Sequence, residues 1–167
     1  MKNIFTVVIL IAFCNLIAIV SSENYHVDSV IYKCMLISFF LHFLIFIPSN
    51  LFKTEKFYDM TGTISFVSVS TYAYFSSSNL SLRADILFFI ILIWTLRLGF
   101  FLFYRILKAG EDQRFSELKQ KTLSFIVPWT LSAMWVFVTA APALLAIGSP
   151  KIINIDENPK ENKNNGI

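Results

Sequence analysis

Basic side chains in and after one apolar segment are candidates for binding a charged ligand. Residues 86–104 form a run of 19 in which Arg97 is the only charged residue, and Arg105 follows directly. A full charge near the centre of a bilayer costs about 3 kcal/mol, so Arg97 either extends part of the way to the inner membrane surface or has a carboxylate partner. Arginines clustered at the mouth of a membrane groove suit phosphate recognition, because the guanidinium is a planar fork of donors.

The carboxylates that can pair with these arginines are few. Asp85 lies at the opposite end of the same helix, too far from Arg97, whereas Asp59 lies at the inner end of the preceding apolar segment. A charge pair between Asp59 and either Arg97 or Arg105 would join the two segments. We expect Arg97 to point into the bundle, with Asp59 as its nearest carboxylate, because an unpaired buried charge is costly.

Hydroxyl side chains follow one face of the third apolar segment. The spacing i, i+4, i+7 and i+11 places on one helical face the residues Thr61, Ser65, Ser68 and Tyr72. Such a face forms either interhelical hydrogen bonds or the polar wall of an internal cavity. His42, in the preceding segment, is either a hydrogen-bonded packing residue, which we favour, or a proton carrier.

The composition indicates the solvent in which this chain folds. Of its 167 residues, 56% are hydrophobic and 15% are charged, and the mean hydropathy is +0.64. A soluble domain carries roughly 25% charged residues, so an integral membrane protein is predicted, with the lipid bilayer as a partner and no nucleic acid. His26 and His42 lack ligands at metal-binding spacings, and Cys14 and Cys34 lie in apolar stretches as buried thiols. No metal site is therefore predicted.

Five apolar segments predict an all-α, multi-pass membrane helix bundle of about five transmembrane helices within residues 1–147. The segments cover about residues 4–20, 31–47, 60–77, 86–104 and 123–147, and a polar tail predicted to be disordered follows at 148–167. The second segment is expected to stop at Pro48. The first is expected to be retained as a span, the alternative being a cleaved signal peptide.

Lysine and arginine counts predict the orientation of the bundle. With the N-terminus inside, eight of these residues fall on the inner face and five on the outer face, which favours an N-in and C-out topology. Five of the eight lie in the connection after the fourth segment. There Gly110 is expected to stop the helix, and Asp112 to cap a short helix that runs through Lys121 along the inner membrane surface.

Three stretches of this sequence resemble a known family. They are KFYDMTG at residues 56–62, RLG at 97–99 and GEDQRF at 110–115, and the likeness extends over about residues 40–147. This set resembles an uncharacterised multi-pass membrane family that is grouped with the steroid 5-alpha reductases and related to the isoprenylcysteine methyltransferases. The resemblance implies a membrane oxidoreductase that uses NADPH on a lipophilic, enone-like substrate.

The same resemblance carries over candidate site residues by position, without individual roles. The candidates for cofactor binding are Arg97, Arg105, Asp112 and Arg114. Asp59, together with the hydroxyl face of the third segment, is a candidate for shaping the site. Catalytic residues stay unassigned.

The chain also departs from the pattern of that family. It resembles the N-terminal half only, since ENPKEN at 157–162 lacks the tyrosine of the Asn-Pro-x-Tyr-type motif found in the second half. We therefore expect an incomplete enzyme, inactive in isolation and binding NADPH weakly or not at all, with a complementary C-terminal half as its partner. A non-catalytic membrane scaffold or assembly partner is the alternative. A small transporter ranks last, because no inverted repeat or broken helix is visible.

Overall fold

A computed structural model describes residues 2–25, 30–77 and 81–148 of this chain. Within these ranges the chain is helical and has no β-strand, which confirms the predicted all-α class. The helices in chain order are α1 (Lys2–Tyr25), α2 (Val30–Leu51), α3 (Tyr58–Ser76), α4 (Leu82–Ala109) and α5 (Thr122–Gly148). The predicted disordered tail lies, apart from Gly148, outside the described residues.

Four of these helices are long and apolar enough to cross a membrane. The qualifying stretches are Lys2–Ser21, Val30–Leu51, Leu82–Ala109 and Thr122–Ile147. The chain is therefore a multi-pass integral membrane protein, as the composition predicts. The fifth predicted span, 60–77, does form a helix, α3, but α3 is too rich in hydroxyls to qualify by the same measure. Its 19 residues extend about 28 Å, close to the thickness of a bilayer core.

The polar helix α3 is enclosed by its neighbours. It packs against α2, α4 and α5. Among the principal contacts, α5 touches all four other helices, and α1 touches α2 and α5. Thr61, Ser65 and Ser70 of α3 are buried in these interfaces. A helix that lipid would not accept alone is thus held inside the bundle, where its hydroxyls face other helices.

The two ends of the bundle differ in chemistry. At the end that we call the charged end, the α2–α3 connection (52–57) meets the α4–α5 connection (110–121) through an ion pair, and Asn3 of α1 donates to Ser124 of α5 at 3.1 Å. At the far end, the Ser77 hydroxyl donates to the Ile147 carbonyl at 3.1 Å. The start of α1 and the end of α5 therefore lie at opposite ends, as an N-in and C-out topology requires.

The predicted stop of the second segment at Pro48 is wrong. The helix α2 passes through Pro48 and ends at Leu51. A proline removes its own amide from the helix but its carbonyl still accepts, and here the Phe52 amide donates to the Pro48 carbonyl at 2.9 Å. The chain turns away only at Lys53, whose backbone adopts a left-handed φ of 51°.

The connection after α4 is only partly as predicted. Gly110 ends α4 with a φ of +83°, and the Asp112 carboxylate accepts from the Arg114 amide as a cap. The single surface helix expected through Lys121 is wrong, because the segment forms two 3-10 turns, Gln113–Phe115 and Leu118–Gln120. The Phe115 side chain is buried against Phe125 and Tyr58, and this anchor bends the segment toward the bundle.

One glycine permits the close approach of α3 and α4. A Cβ atom built on Gly99 would lie 2.4 Å from Oγ1 and Cγ2 of Thr63 and 2.9 Å from its Cβ. Thr63 has little freedom to yield, since its hydroxyl donates to the Asp59 carbonyl at 3.1 Å. The glycine of the RLG stretch is therefore a packing requirement of the α3–α4 interface.

We expect Gly99→Ala to lower the free energy of unfolding by about 1–3 kcal/mol, the usual cost of overpacking. Gly62→Ala is the matched control, because a Cβ there would lie 3.9 Å from the Ser132 hydroxyl, an ordinary contact. Alanine is the better helix former, so the control variant should be as stable as the parent or slightly more stable. Unfolding in mixed micelles, followed by circular dichroism, measures both, and equal stability of the two variants would contradict the close approach.

Candidate functional site

A buried carboxylate joins the two connections at the charged end. Glu55, from the α2–α3 connection, is 2% exposed, and its two oxygens accept from the Asp112 amide and the Lys119 ammonium, each at 3.0 Å. Lys119 also lies 3.4 Å from Glu111. These contacts hold residues 110–121 against the end of the bundle.

The electrostatics of this pair favour the charged state of both partners. Burial by itself would raise the pKa of Glu55, but the hydrogen bonds from the Asp112 amide and from Lys119 outweigh it and place the pKa below its ordinary value. The hydrogen bond to Glu55 raises the pKa of Lys119 in turn. The pair is therefore fully ionised at neutral pH.

A second ion pair joins α3 to α4 at the same end. A terminal guanidinium nitrogen of Arg105 lies 3.3 Å from the Asp59 carboxylate. Asp59 is partly buried, and Arg114 is a second cation near its carboxylate. The expected pair between the third and fourth segments is thus present, with Arg105 as the arginine that makes it.

Arg105 and Arg114 line one surface groove. The groove has a volume of about 340 Å³ and runs between the last turns of α4 and residues 111–114. Arg114 is itself fixed by Asp112, whose carboxylate oxygens lie 3.0 and 3.1 Å from its Nε; this hydrogen bonding is the main reason that the pKa of Asp112 is lowered. Three of the four residues carried over as cofactor candidates, Arg105, Asp112 and Arg114, are therefore brought together.

Arg97 lies apart from these residues, and the expectation that it points into the bundle is wrong. It is exposed on the outward face of α4, and within the described ranges it has no hydrogen bond or ion pair. The reason is helical phase: Thr95 and Gly99 are the buried residues of α4 on either side, and two positions along a helix rotate a side chain by about 200°. Arg97 instead lines a separate hollow of about 310 Å³ with Trp94, Leu98 and Phe101.

The hydroxyl face of α3 does not form one wall in the described structure. Ser65 donates to Ser38 of α2 at 3.1 Å, and Ser38 donates to the Ala133 carbonyl of α5 at 2.9 Å. The interhelical hydrogen bonding considered for this face therefore holds at Ser65. Thr61 instead donates to the Phe57 carbonyl of its own chain segment at 2.7 Å.

The other two members of that face have different surroundings. Ser68 lines an open groove between α3 and α4, whereas Tyr72 packs on the apolar core of the bundle. The four hydroxyl residues therefore have four different surroundings, although the spacing of the sequence assigns them to one helical face.

His42 is completely buried between α2 and α5. Its Nδ1 lies 2.8 Å from the Ser38 carbonyl, which can only accept, so the proton of a neutral ring resides on Nδ1. Its Nε2 then accepts from the Ser132 hydroxyl at 3.0 Å. Both nitrogens are satisfied by groups of the bundle, which supports the packing interpretation of His42.

A groove between α3 and α4 opens toward the lipid. It has a volume of about 280 Å³, and its lining is mostly apolar, with hydroxyls from two residues: Met60, Thr63, Ile64, Val67, Ser68, Leu96 and Phe100. Phe100 precedes Arg105 by five residues, about 7.5 Å along the helix axis. The groove thus descends toward the end of the bundle where the arginines lie, and its lining suits a lipophilic molecule with few polar atoms.

The sequence did not indicate the residues whose role depends on contacts between distant parts of the chain. Glu55 and Lys119 are ordinary loop charges in the sequence, and Ser132 is one of several small residues in an apolar run. The one available signal was local: Ser38 precedes His42 by four residues, the spacing at which a side chain reaches the preceding turn of a helix.

These features define the class of the protein: a multi-pass, all-α membrane protein with ion-paired connections at one end. The chain belongs to the family described as Protein of unknown function (DUF1295), whose model matches residues 45–156, from the last turns of α2 through the whole of α5. No curated protein and no solved structure matches the chain.

We expect Glu55→Gln to lower the free energy of unfolding by about 1.5–3 kcal/mol, because the substitution removes a buried charge-assisted hydrogen bond to Lys119. The folded-state pKa of Glu55 lies below its ordinary value of 4.5. Its stabilising contribution is therefore complete above pH 4.5 and is lost as the pH falls through the folded-state pKa. The difference between variant and parent should accordingly be large at pH 7 and should shrink below pH 4.5.

Glu117→Gln is the control for this prediction. Glu117 lies in the same connection, is exposed, and has no side-chain partner within the described ranges. Its substitution should leave stability unchanged at both pH values. Unfolding in mixed micelles at pH 7 and pH 3.5 tests the pair, and equal losses from the two substitutions would contradict a bracing role for Glu55.

Proposed function

We propose that this chain is the substrate-side membrane module of an NADPH-dependent reductase of the steroid 5-alpha reductase type, acting on a lipophilic enone. The observation that carries the proposal is that two separate grooves lie one after the other along α4. The lipid-open groove between α3 and α4 reaches Phe100, and the groove lined by Arg105 and Arg114 lies further along the same helix, at the charged end.

The apolar groove suits a substrate that arrives from the bilayer. Its lateral opening admits an apolar ring system, while the Ser68 hydroxyl offers a hydrogen bond to a polar atom of the substrate. A substrate bound with its carbonyl toward Phe100 would present its polar end to the charged end of the bundle. The volume of about 280 Å³ accommodates part of such a molecule, so a further element would complete the pocket.

The charged groove suits the phosphates of a dinucleotide. Arg105 uses one terminal nitrogen for Asp59 and is about half exposed, and Arg114 uses Nε and one terminal nitrogen for Asp112 and is more exposed still. Each guanidinium therefore retains donors that face solvent. NADPH, if bound here, would supply the hydride, while these residues would hold its phosphates at the membrane surface. Contacts to the adenosine part of NADPH would come from outside the described residues.

A non-catalytic scaffold is the second candidate, and the ion pairs favour it. Both arginines of the groove already have carboxylate partners, as does Lys119 in the adjoining connection. Networks of this kind also serve to fix the shape of a connection for another protein to bind. The two candidates differ in whether a lipophilic ligand occupies the groove between α3 and α4.

A photoreactive steroid enone tests the substrate groove directly. The chain is reconstituted in lipid vesicles, irradiated with a diazirine-bearing enone, and digested for mass spectrometry. We expect label on α3 and α4, reduced several-fold by Val67→Trp, because this substitution fills the groove. Leu44→Trp is the matched control, since Leu44 is exposed on the lipid face of α2. Even labelling of every lipid-facing helix would show simple partitioning of the probe and would contradict a substrate groove.

A calorimetric titration tests the cofactor side. We expect residues 1–167 in detergent to bind NADPH with a dissociation constant weaker than micromolar and to reduce no enone, because two ion-paired arginines give incomplete contact to a dinucleotide. A complementary C-terminal half of the reductase type, supplied in trans, should restore binding that Arg114→Ala weakens. Lys56→Ala, at an exposed position of the other connection, should not weaken it. Micromolar binding by the chain alone would make it a compact enzyme instead.

A further inference from the structure

The outward face of α4 carries a regular row of exposed side chains. Alternating steps of four and three residues connect its seven members, which we call the α4 seam: Ile86, Ile90, Ile93, Arg97, Phe100, Tyr104 and Leu107. The six members other than Arg97 are each between 49% and 68% exposed. Alternating steps of this kind are the pattern by which one helix packs along another in a left-handed pair.

The α4 seam has the dimensions of a complete helix interface. From Ile86 to Leu107 it extends about 31 Å, which is close to the thickness of a bilayer core. The opposite face of α4 is the one that contacts the bundle, through Thr95 and Gly99. Within the described ranges the seam is therefore a helix-length surface that no other helix covers.

Arg97 lies at the middle of this surface. It is two residues, or about 3 Å, from Thr95 at the midpoint of the apolar run 86–104. Arg105, the next arginine toward the charged end, is about 12 Å away along the axis, farther than an arginine side chain extends. The side chain can rise only part of the way toward the lipid headgroups, so a charge in the bilayer core is left to be compensated.

The described part of the chain offers Arg97 no carboxylate at that depth. Along the chain the nearest acidic residues are Asp85 of α4 and Glu111 of the following connection, which are 12 and 14 residues away. Asp59 is already paired with Arg105 at the charged end.

We propose that the α4 seam is the docking site for a transmembrane helix of another polypeptide that carries a carboxylate opposite Arg97. Charge complementarity selects this occupant, since a carboxylate is the group that neutralises an arginine in the bilayer core. A second copy of this chain fits poorly, because symmetric pairing of two seams would place Arg97 against Arg97. A single polar residue in an apolar seam fixes register and partner, so Arg97 determines which helix docks and at what height.

The test uses the full chain in phosphatidylcholine vesicles and designed helices as probes. Each probe is a leucine-rich transmembrane helix of about 22 residues with Glu, Leu or Lys at its centre, labelled for energy transfer to the chain. We expect the Glu probe to bind roughly five- to thirtyfold more tightly than the Leu probe. Arg97→Leu should abolish this preference, and Arg97→Glu should reverse it in favour of the Lys probe, a gain that misfolding cannot produce.

Lys108→Leu is the matched control, because it removes a cation from the end of the same helix. The preference for the Glu probe should persist in this variant. Equal binding of the Glu and Leu probes would overturn the proposal and indicate that lipid alone satisfies Arg97. Self-association of the chain that depends on Arg97 would also overturn it. The measurement involves neither NADPH nor a substrate, so its outcome is independent of the proposed reductase function.

Discussion

The whole arrangement depends on one constraint, which is that α3 carries too many hydroxyls to cross lipid without other helices packed against it. Seven of its 19 residues are serine or threonine, and each polar group left unpaired in the bilayer core costs several kcal/mol. Three helices, α2, α4 and α5, therefore pack against it, and Ser65 donates to Ser38 of α2 while Thr61 and Thr63 donate within their own segment. The more apolar α1 and α4 are left at the periphery, where most of their side chains face outward.

The contact between Thr63 and Gly99 connects this constraint to the candidate site. Thr63 meets Gly99 on one side and lines the lipid-open groove on the other, so the closeness of the two helices sets the depth of the groove. The same contact lies on the buried face of α4, which sets the rotation of that helix about its axis. That rotation places Arg105 beside Asp59 and turns Arg97 outward.

The sequence predicted the features that depend on local composition or on topology. Long apolar runs gave the helices and their order, and the Asp59–Arg105 pair was foreseeable because both residues lie at helix ends on the same side of the bundle. The direction of the Arg97 side chain was not foreseeable, since it depends on which face of α4 meets α3. Glu55 was missed for a similar reason: its main partners, an amide and a lysine, belong to a connection more than 50 residues away.

The enclosure of α3 also has a consequence for biosynthesis. At a synthesis rate of about 5–20 residues per second, α5 is completed roughly 4–14 seconds after α3, because 72 residues separate their ends. During this interval the bonds of Thr61 and Thr63 to their own chain segment can already form, as can that of Ser65 to α2. The hydrogen bond from Ser38 to the Ala133 carbonyl of α5 cannot form until α5 is made. The chain of hydrogen bonds from Ser65 through Ser38 to the Ala133 carbonyl is therefore completed only when the last helix arrives.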